Sequence, residues 1–393
     1  MRGLYIVAAV TMAGVSAVFA LLAELQERYD LPTSGLGWIA GSAFLAALVA
    51  QLWLSRYADR GHGRLLLQGG VIVAAAGLLW FAVATELWQF VSARAVLGAG
   101  VGMLIPPARR AIVLSSEGNQ GERLGAFYGA YLAGFVFGPP LAGVLTTLFD
   151  VRVPFVVFGV LVALTLVPIA RLELPDAPPS DDGDAGLDKR VMRRLVTDRR
   201  VVAALLVVVS FRYSIGVFEP LWATYLDDLG ASTLTVTLSL TVFALPMLLI
   251  AKRAGRMSDR YGPRMASLVS AGATVPIMAC YGYLDSLALV MLLVVPHGIL
   301  EAVQSPGTQA AVADAAPRRD TAAAQGLAEA AGSAAAAIGA FTAAPLFDHL
   351  GAGPAWLIAG LVMGGLLFTS SSLDRPVRPR PRRDLDPAIV GTS

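Results

Sequence analysis

Long apolar stretches recur along the whole chain, and this recurrence limits the fold more than any other feature of the sequence. A helix needs about 20 predominantly apolar residues to cross the hydrocarbon core of a bilayer. Windows of that length predict twelve transmembrane spans, at residues 3–24, 36–54, 65–85, 88–108, 124–148, 153–171, 201–226, 233–252, 265–283, 286–308, 322–346 and 353–373. Membrane-spanning strands show alternating apolar and polar residues over about ten positions, and the sequence lacks this pattern. It therefore predicts an all-α membrane protein.

The composition agrees with a membrane protein and excludes several function classes. Hydrophobic residues make up 56% of the 393 residues and charged residues only 15%, too few to keep a soluble core of this size dissolved. The net charge of +2 gives no reason to expect a nucleic-acid partner. One cysteine and three histidines predict neither an internal disulfide nor a metal site. No nucleotide-binding segment of the Walker type is present. We therefore expect neither an enzyme nor an ATP-driven pump, and no cofactor.

Basic residues cluster on one side of the predicted spans. Of the 30 lysine and arginine residues, only Arg28 and Arg152 fall in loops on the other side, and Arg94 and Arg212 fall within spans. Since cytoplasmic loops carry the excess of basic residues, we expect both termini in the cytoplasm and the protein in the inner (cytoplasmic) membrane. The first span ends in charged residues, not in a small-residue cleavage site, so we expect it to be retained.

An acidic stretch rich in proline and glycine, 175–189, divides the spans into six and six. We expect a six-helix bundle at 1–172, a cytoplasmic linker at 173–200, a second six-helix bundle at 201–373 and a disordered cytoplasmic tail at 374–393. The halves repeat one another at offsets of 200 and 201, which pair Ser55–Arg60 with Gly255–Arg260, Gly102 with Ala302, Pro106 with Pro306, Gly125 with Gly326 and Gly138 with Gly339. This repeat predicts two pseudo-symmetric halves.

One part of the repeat resembles the signature loop of the major facilitator superfamily. Residues 255–264 read GRMSDRYGPR, and the first-half copy at 55–64 reads SRYADRGHGR, with Ser55 in place of the first glycine. The resemblance implies a substrate site near the bilayer midplane, between the two halves. An aspartate among arginines at the mouth of a helix can bind an adjoining helix N-terminus. We therefore expect the charged residues of the two loops to close the inner side, with a role in loop solubility as the alternative; they are Asp59, Arg60, Asp259 and Arg260.

Motifs within three spans also resemble the family. Arg94, followed by Gly98 and Gly102, resembles its proton-linked arginine motif. This role needs a carboxylate partner, which the middle of span 1 lacks. The fifth span resembles the exporter subgroup, the proton:drug antiporters, in a helix-packing signature of Gly125, Gly134, Gly138 and Pro139, where Pro139 is expected to bend or break the helix. In the seventh span, Phe218-Glu219-Pro220 resembles the Glu-Pro element of vesicular amine transporters and their bacterial relatives.

Polar residues recur on one face of two otherwise apolar spans. The two sets are His297, Glu301, Gln304 and Thr308 in the tenth span, and Gln325, Glu329 and Ser333 in the eleventh. Their spacing corresponds to the period of an α-helix. A polar stripe on an apolar helix predicts a water-filled cavity next to that face.

Charged side chains inside a membrane are costly and therefore mark functional positions. At 1.5 Å per residue, Glu301, Glu329 and Arg212 lie at about one level, roughly 10–16 Å from the inner edge. We predict that the two glutamates carry protons and that Arg212 assists them. The alternative is a static charge pair that joins the spans. Glu219, two turns beyond Arg212, is either an outer gate or an interfacial carboxylate.

These features favour a secondary active transporter that exports amphipathic small molecules, drug-like or metabolic, in exchange for protons by alternating access. A metabolite or sugar carrier, including a proton symporter, is a second hypothesis. A membrane sensor that does not transport is a third, and the intact polar stripes argue against it. We expect a monomer whose partners are a small-molecule substrate, protons and the lipid bilayer.

Overall fold

The structure is a computed structural model and describes residues 2–57, 62–114, 120–172, 189–317 and 320–373, where the regular secondary structure is helical. The first half contains α1 (Arg2–Ala20), α2 (Leu22–Tyr29), α3 (Thr33–Tyr57), α4 (Gly63–Val83), α5 (Leu87–Leu114), α6 (Gln120–Leu148), α7 (Val153–Leu164) and α8 (Leu166–Ala170). The second half contains α9 (Lys189–Thr197), α10 (Arg199–Asp228), α11 (Thr233–Tyr261), α12 (Pro263–Tyr281), α13 (Leu287–Ala315), α14 (Thr321–Leu350) and α15 (Ala352–Leu373).

Eleven of the twelve predicted spans correspond to helical stretches of the described residues that are long and apolar enough to cross a membrane. The predicted ninth span is α12, whose 19 residues reach about 28 Å but are less apolar. Arg264 in its first turn lowers its mean hydropathy most, and Ser267, Ser270 and Thr274 lower it further. These buried hydroxyl groups donate to backbone carbonyls one turn earlier, so the helix satisfies them itself.

The hydrophobic core is divided between the halves. We call the side at which α3 ends and α10 begins the linker side, and the side at which α10 ends and α11 begins the distal side. One buried cluster belongs to the first half alone. A second cluster, central and distal in the second half, includes Phe19, Ala20 and Val136 of the first half. A third, on the linker side, contains residues of the second half only. The halves therefore share a core on the distal side.

Two polar contacts between the halves lie on the distal side. Thr224 Oγ1 donates to Gln26 Oε1 at 3.2 Å, and Thr233 Oγ1 donates to Glu24 Oε2 at 2.6 Å. These bonds join α2 to the distal ends of α10 and α11. The halves are thus closed against each other on the distal side.

The second-half signature segment is more helical than predicted. The span that was expected to end at 252 continues as α11 through Tyr261, so Asp259 lies within a helix, not in a loop. Only Gly262, with a φ of 85°, separates α11 from α12. Arg260 is exposed, and its guanidinium lies 5.4 Å from the centre of the Tyr261 ring. The first-half pair, Asp59 and Arg60, lies outside the described residues.

The end of the predicted linker is folded. Residues 189–197 form α9 and α10 begins at Arg199, so the last part of the predicted linker, 173–200, is helical. Leu195 is buried against the second half, and Arg194 pairs with Asp320 at 3.3 Å. These contacts explain why the helix forms. Residues 173–188 and the predicted tail, 374–393, lie outside the described residues.

Candidate functional site

A buried ion pair joins the two halves. Arg94 in α5 and Glu219 in α10 lie about 10–13 Å from the distal ends of their helices, at 1.5 Å per residue. The Arg94 guanidinium contacts Glu219 Oε1, and the exposed fractions of the two side chains are 2% and 8%. The second half thus supplies the carboxylate that span 1 lacks. Glu219 is not an interfacial carboxylate, because it is buried.

Few other groups stabilise the charge of Arg94. Its Nη1 is 3.4 Å from the carbonyl oxygen of Val15, and its Nε has no hydrogen-bond partner. Phe218, next to Glu219, contacts Phe19 of the first half edge-on, with 6.2 Å between ring centres. In these apolar surroundings Arg94 depends on Glu219 for its compensating charge.

A second charged cluster lies between the halves, nearer the linker side. Glu329 in α14 is 3.5 Å from Arg109 Nη1 of the first half and 3.7 Å from Arg212 Nη2 of the second. Gln309 Nε2 donates to Glu329 Oε1 at 3.2 Å. The guanidinium of Arg109 lies over the ring of Tyr128, 4.9 Å from its centre. The three charged side chains are 28–35% exposed, so water reaches the cluster.

Arg109 is a site residue that the sequence analysis missed. The fourth span was predicted to end at 108, whereas α5 continues to Leu114. The internal repeat contained the signal, because an offset of 200 pairs Arg109 with Gln309, and an offset of 201 pairs Tyr128 with Glu329. In the first half Arg109 contacts Tyr128, and in the second half the equivalent residues, Gln309 and Glu329, contact each other. The two pairs meet at this cluster.

We predicted that Glu301, Glu329 and Arg212 lie together. Glu329 and Arg212 do, but Glu301 does not. Glu301 instead lies beside His297, with 3.6 Å between Glu301 Oε1 and His297 Nε2. His297 Nδ1 is 3.0 Å from the hydroxyl of Tyr281. All three side chains are buried. They form a chain of titratable groups that can hold or pass a proton.

The rest of the tenth-span stripe is buried as well. Gln304 and Thr308 are inaccessible, and neither polar atom of the Gln304 side chain has a hydrogen-bond partner. The prediction that this stripe faces water is wrong for this conformation, since α13 packs it against neighbouring helices. In the eleventh span Gln325 is partly exposed and donates to the carbonyl oxygen of Gln309 at 2.8 Å, whereas Ser333 is buried.

Most of the predicted packing glycines make close contacts within the first half. The four contacts are Gly98 with Ala43, Gly102 with Ala47, Gly134 with Ala9 and Gly138 with Ala13. A Cβ atom at Gly134 would overlap the carbonyl group of Ala9, so this close approach requires glycine. A Cβ at Gly125, by contrast, would meet no atom within 4 Å. Pro139 lies inside the continuous helix α6 and does not break it.

Comparisons with known proteins agree with this arrangement. The sequence profile of the Major Facilitator Superfamily matches residues 4–218 and 204–390. "Multidrug resistance protein MdtG" of Proteus mirabilis (strain HI4320) is 24% identical over 314 residues, which cover 76% of this chain and 77% of that protein. The "Multi-drug resistance efflux pump PmrA homolog" of Lactococcus lactis subsp. lactis (strain IL1403) is 24% identical over 234 residues, which cover 58% of this chain and 57% of that protein.

Solved structures share the fold at low sequence identity. The nucleoside transporter NupG superimposes with a TM-score of 0.79 and 12% identity, covering 95% of this chain and 98% of that one. A bacterial homolog of the human lysosomal transporter Spinster, in an inward-facing and unoccupied conformation, superimposes with a TM-score of 0.74 and 13% identity, covering 95% and 94%. Together with the profile match to both halves, these likenesses identify the chain as a multi-pass membrane protein of the Major Facilitator Superfamily, with two six-helix halves.

Proposed function

We propose that this protein is a secondary active exporter, which moves amphipathic small molecules outward in exchange for protons by alternating access. The observation that carries the proposal is the buried Arg94–Glu219 pair, which joins the halves on the closed side of the bundle. The names of the two multidrug relatives support a drug-like substrate. We also propose a monomer in the inner membrane, with halves at 1–172 and 201–373 and both termini in the cytoplasm.

In this proposal Glu219 carries the coupling proton. With the distal side closed, the ionised Glu219 neutralises Arg94. When the distal side opens and substrate leaves, the pair separates, and Glu219 meets the acidic solution outside and takes a proton. On the return, Glu219 can pair with Arg94 only after it loses that proton, which is therefore released inward. Each cycle exchanges substrate for a proton.

Two other carboxylates take different roles. Glu301 lies about 21 Å from the distal end of α13, deeper than Glu219 at about 13 Å. With His297 it forms a relay for the proton toward the linker side. Glu329 is exposed to water beside Arg212 and Gln325, so it lines the substrate cavity. Closure of the linker side is assigned to the signature segments that contain Asp59, Arg60, Asp259 and Arg260.

Loss of the Glu219 carboxylate should affect uphill and downhill transport differently. In liposomes with a pH gradient, Glu219→Gln should abolish accumulation of substrate against its gradient, because the carboxamide cannot carry a proton. Downhill counterflow should be slower but should not be lost, since the substrate cavity is intact and the substitution lowers the population of the distal-closed conformation without removing it. The matched variant Glu329→Gln should retain uphill transport with an altered substrate preference. Normal uphill transport by Glu219→Gln would contradict the assignment.

A further inference from the structure

The cluster at Glu329 has an excess of positive charge. Arg109 and Arg212 face a single carboxylate, so the cluster has a formal charge of +1 when Glu329 is ionised. Among the described residues, Glu329 is the one carboxylate within 4 Å of either guanidinium, so no second acid balances the second arginine.

The two guanidinium groups are also loosely engaged. Their closest approaches to Glu329, 3.5 and 3.7 Å, are longer than the roughly 2.7–2.9 Å of a charge-assisted hydrogen bond. Arg109 Nε is buried and has no hydrogen-bond partner. Both side chains are about one-third exposed. The two guanidinium groups can therefore bind an acidic group without first breaking strong hydrogen bonds to Glu329.

An aromatic surface lies next to these donors. The Tyr128 ring supports the Arg109 guanidinium and remains 45% exposed. Gly332 makes room for Arg212, because a Cβ there would come within 2.8 Å of Arg212 Cγ. The cavity therefore combines two fork-shaped donors with one flat apolar ring.

We infer that the exported substrate is an amphipathic anion with an aromatic body, whose acidic group binds Arg109 and Arg212 and whose ring contacts Tyr128. Such a molecule neutralises the excess charge, whereas a cation would add to it. The direction of transport agrees, since a membrane potential that is negative inside drives an anion outward. This inference rests on the proposed function, because it names the substrate class of the proposed exporter.

Three naphthalene probes of matched size test the inference. They are naphthalene-2-sulfonate, its neutral sulfonamide, and a naphthylmethyl-trimethylammonium cation. Their charges are permanent, so neither weak-acid permeation nor a change of protonation affects the result. Binding is measured by equilibrium dialysis with the full chain in nanodiscs of zwitterionic lipid, in a buffer low in chloride. The sulfonate should bind about tenfold or more tightly than the sulfonamide, and the cation most weakly.

Variants then locate the site. Arg109→Gln and Arg212→Gln should each weaken sulfonate binding about tenfold and leave the sulfonamide nearly unchanged. Glu329→Gln should strengthen sulfonate binding, which a merely unfolded variant cannot do. Tyr128→Ala should weaken the sulfonate and the sulfonamide alike. Arg152→Gln, an exposed arginine on the distal side, is the matched control and should bind all three probes as the unmodified chain does.

The inference is overturned if the sulfonate does not bind, if the three probes bind alike, or if the cation binds most tightly. It is also overturned if both arginine variants bind the sulfonate normally. No proton gradient is present in these experiments, so they are independent of coupling. A chain that binds the sulfonate but moves no protons would refute only the proposed function, and one that exports the cation against protons would refute only the inference.

Discussion

The guanidinium of Arg94 contacts the carboxylate of Glu219, 125 residues later in the chain, and both side chains are almost completely buried. The pair links α5 of the first half to α10 of the second, in the region where the halves share a core. Removal of one partner from a buried ion pair leaves an uncompensated charge, which costs about 3–5 kcal/mol. The closed distal side therefore depends on both charges.

Glu219→Gln should favour the distal-open conformation, because Arg94 is then buried without a counter-charge. Spin labels at positions 85 and 285, exposed residues of distal loops in the two halves, report this change as a longer distance. The exposed Cys280 is first replaced by serine. Glu27→Gln, an exposed carboxylate on the same side, serves as the control and should leave the distance unchanged.

The double variant Arg94→Gln with Glu219→Gln buries no charge and should restore most of the closed population. A double variant that is more open than either single variant would contradict the role of the pair in closure.

Glu301→Gln should slow uphill transport about tenfold or more, because a relay needs a group that can release a proton. Downhill counterflow should remain close to normal. Tyr281→Phe removes only a hydroxyl group that contacts His297, so it should cost about 1 kcal/mol of stability and retain coupling. Parallel flux and unfolding measurements separate the two effects. If Glu301→Gln loses stability but keeps its uphill rate, the His297–Glu301 pair is structural.

Gly134→Ala should destabilise the first half by about 1–3 kcal/mol, because the added methyl group overlaps the backbone of α1 at Ala9. Gly125→Ala, in the same helix, meets no neighbouring atom and should stabilise the protein by up to about 1 kcal/mol, because alanine favours the helix. Denaturant unfolding in detergent measures both. Equal effects of the two substitutions would show that helix propensity, not the contact with α1, decides the outcome.

The proposed orientation predicts opposite labelling of two exposed positions. In a chain without Cys280, a cysteine at position 193, in α9, should be protected from an impermeant thiol reagent in whole cells. A cysteine at position 285, on the distal side, should react readily. Both should react in permeabilised cells. The reverse pattern in whole cells would place the linker side outside.

Local features of the sequence were sufficient to predict the helices, since span length and apolar composition depend on the membrane alone. Contacts between the halves could not be predicted in this way. The partner of Arg94 was sought in span 1, yet it comes from α10, because pairing across the halves depends on which side of the bundle is closed. Arg109 was placed after the end of the fourth span because charged residues lower the mean hydropathy there. The helix itself continues past them to Leu114. The burial of Gln304 and Thr308 likewise depends on the neighbours of α13 and not on its own periodicity.

The exchange of substrate for protons is tested most directly in inside-out vesicles that contain the full chain, a trapped pH indicator and an acidified lumen. The probe is whichever naphthalene compound crosses the membrane in counterflow. Its addition outside should raise the luminal pH, because each molecule that enters the lumen releases a proton from it. Vesicles with Glu219→Gln should take up the probe downhill without this rise. A fall of luminal pH on addition of the probe, or no change while the probe crosses, would contradict proton-coupled export.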